Sequence, residues 1–448
     1  MPANRRLFLQ AVGASGLGAA AIAAEPGATV ARIVEAARAL GGKSPEQVAR
    51  DEAFWTVVRE AFGGVVSPAV KLWTVATGPS PRIVTDAVID GYLRINESRP
   101  GGNNYRERKE EVRRRLAAHI GCAPAAIALT RNTTDGVTTV ISGLPLRAGD
   151  EMLTTNQEHH PYFGLLHQRA ARDGLVVRAI DIPSPARNPA EIAEAFEQAM
   201  GPRTRLILVC HVALTGQIMP VRRIAEAAHR QGAQVLVDGA LAFGHIVVKP
   251  KELDCDYYAA SFHKWAYGPT ATGFFYARPE HVRALPPLYG FARLDTGFGP
   301  AFDDPSMAKF ESFGTHPAFL TAAVGQMLDF REAIGGERIQ ARHHYLKRYW
   351  ADRVKDEPRL RLYASLEPEL SCSLLAFEVR GKTYAEVTGS LREKKIGLSG
   401  AYINGRFGDR ASWREPMLAN PALFTTTDDL DRFVQALHPI LLDAKRGG

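Results

Sequence analysis

Hydrophobic and polar positions along this chain follow two periods. Apolar residues spaced by three and four predict amphipathic helices over 31–40 and 46–62, then over 81–96 and the strongly charged 105–120. Short apolar runs bounded by turn residues predict strands, the first at 70–75. From 126 to 278 the two patterns interleave. Strands are predicted at 126–130, 152–155, 175–182, 206–212, 234–240, 255–258 and 270–278, with helices at 137–144, 162–172, 189–200 and 221–231. Beyond this the pattern is helical over 317–353, then strand at 371–379 and helix at 384–394. Thr426-Thr427-Asp428-Asp429 caps a last helix over 430–444.

Strands alternating with helices predict an α/β fold with a mainly parallel sheet covered on both faces. In such sheets functional groups collect at the carboxyl ends of the strands. Thr133, His159, His211, Asp238 and Lys264 all fall at predicted strand ends. At 448 residues the chain is too long for one simple core. The pattern divides it into a helical segment at 25–69, a large domain at 70–316 and a smaller α/β domain at 317–448.

The chemistry centres on Ala259-Ala260-Ser261-Phe262-His263-Lys264-Trp265. A loop lysine taken alone is a solvated charge. Upstream, however, Gln234-Val235-Leu236-Val237-Asp238-Gly239 closes an apolar strand with a carboxylate. Pyridoxal phosphate (PLP) needs this pair: a lysine that forms a Schiff base with its aldehyde carbon, and a carboxylate that keeps its pyridinium nitrogen protonated. Asp238 alone would read as a helix cap. A third element is the strand, polar turn and helix around Arg131-Asn132-Thr133-Thr134-Asp135-Gly136. Free N–H groups at a helix start, beside hydroxyls, hold anions, so Thr133 and Thr134 are assigned to the cofactor phosphate.

Val237-Asp238-Gly239-Ala240 followed by Ser261-Phe262-His263-Lys264-Trp265 resembles the class V aminotransferase family of fold-type I PLP enzymes. The His-Lys-Trp form is similar to its isopenicillin N epimerase-like and cysteine desulfurase-like branch. The likeness runs from about residue 70 to the C-terminus. It implies that His159, chosen over His160, stacks on the cofactor ring and relays protons. It places His211, Ser261 and His263 among the cofactor contacts. It also implies a homodimer, in which Thr315, after Phe310-Glu311-Ser312-Phe313-Gly314, reaches the partner's cofactor.

The implied activity is at Cα or Cβ of an amino acid or related amine, with Lys264 as base. The outcome is expected to be epimerase-like or lyase-like. The alternatives are a class V aminotransferase proper and a binding protein that keeps the fold without turnover. Several positions depart from the family. Leu241 stands where a polar residue is common, and His211-Val212-Ala213-Leu214-Thr215 lacks polar residues at its centre. Leu418 stands where the substrate-carboxylate arginine is expected, leaving Arg414 and Arg410 as nearby substitutes. No cysteine lies within 398–414, and Cys372 lies in a strand-like run, which argues against desulfurase chemistry by a persulfide.

Composition narrows the rest. Hydrophobic residues make up 46% and charged residues 23%, as in ordinary globular proteins. The net charge of +7 is spread without a basic run, so no nucleic-acid partner is expected. Four cysteines, at 122, 210, 255 and 372, show no disulfide or zinc spacing, and no metal is expected. The N-terminus looks like a twin-arginine export signal over 1–24. Asn4-Arg5-Arg6-Leu7-Phe8-Leu9-Gln10 precedes an Ala- and Gly-rich apolar run with a small-residue cleavage site at Ala21-Ile22-Ala23. That run is shorter than the roughly 20 apolar residues of a membrane span, so no stable membrane anchor is expected. The expected location is the periplasm, with the cofactor loaded before the folded protein is exported.

Overall fold

The computed structural model describes residues 26–63, 69–73, 77–96, 105–290, 304–312, 314, 317–400, 402–403, 405 and 412–443. The signal over 1–24, Thr315 and Arg410 lie outside these described residues. The chain opens with helices α1 (Pro26–Ala39), α2 (Pro45–Ala49) and α3 (Glu52–Glu60), strand β1 (Val70–Leu72), and helices α4 (Arg82–Asn96) and α5 (Tyr105–Ile120). There follow β2 (Ile127–Thr130), α6 (Thr133–Gly143), β3 (Glu151–Thr155), α7 (His160–Asp173), β4 (Val176–Ile180) and α8 (Pro189–Ala199). Next come β5 (Thr204–Cys210), α9 (Val221–Arg230), β6 (Gln234–Asp238), β7 (Tyr257–Ser261), β8 (Gly273–Ala277) and the short α10 (Pro279–Val282). The last part holds α11 (Ala318–Ile334), α12 (Gly336–Ala351), β9 (Leu360–Leu362), β10 (Leu375–Val379), α13 (Tyr384–Glu393), β11 (Ile396–Gly400), β12 (Met417–Ala419) and α14 (Thr427–Asp443).

Seven strands form the large sheet in the order β2-β8-β7-β6-β5-β3-β4. All run parallel except β8, which is antiparallel to both its neighbours. Apolar residues on both faces of the central strands demand cover on both sides. Leu208, Leu236 and Ala259 on one face pack with Val137 and Val140 of α6 and Leu166 of α7. Val209, Val235, Val237 and Tyr258 on the other pack with Ile224 and Ala228 of α9. This is the mainly parallel α/β architecture that the alternation predicts. Gly136 lets α6 lie close on β7, since a Cβ there would sit 2.7 Å from the Ala259 Cβ.

The smaller sheet has the order β1-β11-β12-β10-β9. It corrects the predicted start of the large domain at residue 70. Val70↔Ile396 and Leu72↔Leu398 pair in parallel, so β1 is an edge strand of the small sheet before the chain crosses to the large one. The cause is burial: Val70 and Leu72 share a core with Phe377, Ile396, Met417 and Phe433. The predicted helix over 46–62 divides at Asp51, whose side chain accepts the Phe54 N–H and so caps α3. The long helical run over 317–353 divides at Gly335, where φ is +96°.

The N-terminal helices are fastened to the small domain by one buried cation. Arg342 of α12 is fully buried and donates to the Ala49 carbonyl at 2.8 Å and the Glu52 carboxylate at 2.6 Å. Its guanidinium also lies 5.3 Å from the Trp55 ring centroid. Among the described residues, no helix is long and apolar enough to cross a membrane.

Candidate active site

The carboxyl ends of β3, β5, β6 and β7 adjoin, and the register places specific side chains there. Cys210↔Asp238 and Asp238↔Ala259 are paired across β5, β6 and β7. Two further bonds carry the ladder past the strand ends: His211 N–H to the Asp238 carbonyl and Gly239 N–H to the Ala259 carbonyl, both 2.8 Å. The Asp238 side chain folds back on its own turn and accepts the Ala240 N–H at 2.8 Å.

The start of α6 meets this edge. The expected helix start at 137 is four residues late. Asn132 caps the helix by accepting the Asp135 N–H at 3.0 Å, which makes Thr133 the first helical residue. Thr133 donates its N–H to Ser261 Oγ at 2.9 Å, and the two hydroxyls lie 2.8 Å apart. Thr134 is exposed, and its hydroxyl meets that of the buried Tyr162. A helix start lined by three hydroxyls, Thr133, Thr134 and Ser261, suits an anionic group.

Lys264 sits three residues beyond β7 on an immobilised turn. Gly78 N–H donates to the His263 carbonyl at 2.8 Å, and a Cβ on Gly78 would lie 2.3 Å from the Lys264 carbonyl oxygen. Only glycine allows the 77–80 turn to approach so closely. On the other side Trp265 stacks on His245 at 3.7 Å. His245 is itself fixed, donating through Nδ1 to the Leu241 carbonyl and accepting the Ser373 N–H at Nε2. Arg331 of α11 donates to the Gly244 and Trp265 carbonyls at 3.1 and 3.4 Å.

Burial lowers the Lys264 amine from its ordinary range, and Asp238 is the charge that offsets this. Burial raises the Asp238 carboxyl, offset by Lys264 and then by the Ala240 N–H. Each group therefore loses hydration and recovers part of it from the other. His159 is the residue that precedes α7, exposed as a whole, with its ring edge-on to the buried Tyr162 at 5.2 Å. Partial burial, then the nearby Lys264, lowers it to about 4, so the imidazole is neutral. His263 is lowered to about 4 by burial and then Lys264, and its Nδ1 is buried without a partner among the described residues.

The structure therefore groups Asp238, Lys264, His159, Thr133, Thr134, Ser261 and His263 at one strand edge. It does not group His211 with them. His211 Nδ1 bonds the Tyr258 hydroxyl at 3.0 Å, and Tyr258 lies on the sheet face opposite Ala259 and Asp238. Arg414 is also apart. Its backbone bridges to Ile403, its side chain is exposed, and it lines an open surface cavity with Arg361, Glu378 and Arg380. Leu418 and Leu241 are core residues, buried beside Tyr363 and Ile403 and under β6 respectively.

Glu158 was missed by the sequence reading, although it adjoins the chosen His159. It is 1% exposed, and its Oε1 accepts the Thr155 hydroxyl at 2.8 Å. Burial pushes its carboxyl up to about 8, with Asp238 adding to the rise. Its signal was a carboxylate in the polar run Asn156-Gln157-Glu158-His159-His160 at a strand end.

Comparison with known proteins gives the family. Residues 71–415 match the family model described as aminotransferase class-V. The chain belongs to the class-V aminotransferase family. It is 32% identical over 386 residues to isopenicillin N epimerase of Streptomyces clavuligerus, covering 82% of this chain and 94% of that one. It is 30% identical over 412 residues to a cysteine desulfurase of Dickeya dadantii, covering 87% and 96%. Among solved structures, a C-DES mutant with glycine covalently linked to its PLP cofactor superposes with a TM-score of 0.73 at 22% identity, covering 85% of this chain and 98% of that one. The cysteine desulfurase CsdA of Escherichia coli gives 0.73 at 23% identity, covering 87% and 98%. These two likenesses are of fold. Class-V relatives thus carry both names that the His-Lys-Trp motif suggests.

Glu158 gives a test by pH. Because its folded carboxyl is raised, the folded chain holds a proton there that the unfolded chain releases between the ordinary carboxylate range and about pH 8. This contribution to stability is full at low pH and is lost as pH rises through that window. Melting temperatures at pH 5.5 and 8.5 should therefore differ less in Glu158→Gln than in the parent. An unchanged difference would show that Glu158 is not a neutral acid in the folded chain.

Proposed function

We propose that this chain is a PLP-dependent enzyme acting at Cα or Cβ of an amino acid or related amine, with an epimerase-like or lyase-like outcome. The observation that carries this reading is the placement of buried Asp238 at the end of β6 and half-buried Lys264 just beyond the adjoining β7, each offsetting the other's loss of water. The residues fit the group. Lys264 would hold its aldehyde carbon and Asp238 the proton on its ring nitrogen. The α6 start, with Thr133, Thr134 and Ser261, would hold its phosphate, and the unpartnered His263 Nδ1 offers a further contact. When bound, PLP supplies an electron sink for the bond pair released at Cα.

The chain's own residues supply proton handling. Lowering of the Lys264 amine favours its neutral form, so once free it can take a proton at Cα. His159 stays neutral beside Lys264 and can present a ring face or exchange a proton there. Against a persulfide route stands Cys372, the cysteine nearest the C-terminus. It is fully buried, its thiol is pushed up to about 12 by burial, and its Sγ donates to the Gly216 carbonyl. That observation favours epimerase-like or lyase-like chemistry over the desulfurase name carried by some relatives.

The reading also has the enzyme as a homodimer exported through the twin-arginine route. Sedimentation at twice the chain mass checks the first. For the second, Arg5→Lys with Arg6→Lys should strand folded, cofactor-bearing protein in the cytoplasm, and normal delivery of that variant would contradict it. The central test is chemical. Borohydride reduction of the yellow holoprotein should fix the cofactor to Lys264, as read by peptide mapping, and a panel of amino acids and amines should yield the product class. An adduct on any other lysine would overturn the assignment.

A further inference from the structure

One aromatic group spans the two domains beside His159, and the mechanism above leaves it unused. The small domain supplies Tyr402 and Trp413. Backbone bonds of 2.9 and 3.0 Å between Ile403 and Arg414 join the two segments that carry these rings. Trp413 lies so close on Gly405 that a Cβ there would sit 2.0 Å from the indole. The large domain supplies His160 and Phe163, three residues apart on one face of α7. The Trp413 ring lies 4.9 Å from His160 and 6.1 Å from Phe163, and Tyr402 lies 6.5 Å from His160.

One polar atom in this group has no use in the fold. The His160 ring donates to the Tyr402 backbone, while its Nε2 is buried without a partner among the described residues. The bond to Tyr402 therefore fixes the proton on Nδ1, and Nε2 is a bare acceptor. Burial lowers the imidazole, which keeps it in this neutral form. A buried acceptor without a donor is costly to keep unless something supplies one. His160 opens α7 directly after His159, in the segment that follows the carboxyl end of β3, so the group lies at the strand edge that carries Asp238 and leads to Lys264.

We propose that His160, Phe163, Tyr402 and Trp413 form the substrate-selecting wall of the Lys264 site. The rings take an apolar or aromatic arm of the amine, and His160 Nε2 accepts an O–H or N–H carried on that arm. This rests on the proposed function and names its substrate class: amines with a bulky arm bearing a hydrogen-bond donor, anchored without an arginine at position 418.

The test uses the holoenzyme and three probes, L-alanine, L-phenylalanine and L-tyrosine, with affinity read from the change in the cofactor's absorption on binding. Trp413→Ala should weaken L-phenylalanine and L-tyrosine about tenfold, the scale of one lost aromatic pair, and leave L-alanine within about twofold. Trp413→Phe should restore most of the loss. His160→Phe should erase the preference for L-tyrosine over L-phenylalanine while leaving L-alanine unchanged. Equal weakening of all three amines, or of none, would overturn the wall. A wild-type protein with no cofactor band would instead overturn the function on which the wall rests.

Discussion

Asp238, buried at the end of β6, and Lys264, half-buried beyond the neighbouring β7, are ionisable groups of one strand edge, where each offsets part of what the other has lost from water. Burying two charges costs more than surface placement, and such pairs add little net stability. Their position at the carboxyl edge of the sheet, rather than in its packed middle, is where functional groups collect in such folds, and the proposed function rests on it. The rest of the site keeps this pair in place. The ladder across β5, β6 and β7 fixes Asp238, and Gly78, the His245–Trp265 stack and Arg331 fix the turn that carries Lys264. Glu158, raised to about 8 by burial and by Asp238, is the group whose ionisation would add a negative charge that Asp238 opposes.

The small domain has a matching constraint. Its sheet begins with β1, a strand taken from the chain before the large domain starts, so the two domains are threaded through each other. Gly216 approaches the small domain so closely that a Cβ would sit 2.0 Å from the Leu374 carbonyl oxygen. The Arg342–Glu52 contact ties the N-terminal helices to α12 in the same way. The aromatic wall, made half from each domain, therefore stands on a fixed frame.

Much of this was legible in the sequence. The shared position of Asp238 and Lys264 was readable because Asp238 closes one apolar strand and Lys264 follows the next, and strand ends in a parallel sheet face one edge. The alternation of periods also carried the large sheet. What escaped reading depended on partners distant in sequence. β1 is three residues long, and its membership is set by pairing with Ile396–Leu398, which periodicity cannot see. β9 and β12 are equally short, and β11, though five residues long, likewise takes its place from partners distant in sequence. The start of α6 was misplaced because Asn132, a polar turn residue, also caps a helix whose first turn is polar. Glu158 gave no sign of burial, since a carboxylate in a polar run reads as solvent-facing. Arg414 lies near the last helix cap in sequence, but its bridge to Ile403 leaves it exposed.

The account's central claim is that Asp238 and Lys264 share one site, withdrawn in part from water. Its most direct measurement is the titration of the Lys264 amine by NMR in cofactor-free protein carrying isotope-labelled lysine, with and without Asp238→Asn. The account predicts an amine below the ordinary lysine range in the parent, because burial outweighs Asp238. It predicts a still lower value in the variant, because the offsetting charge is gone. A Lys264 titration that the substitution leaves unchanged would contradict it.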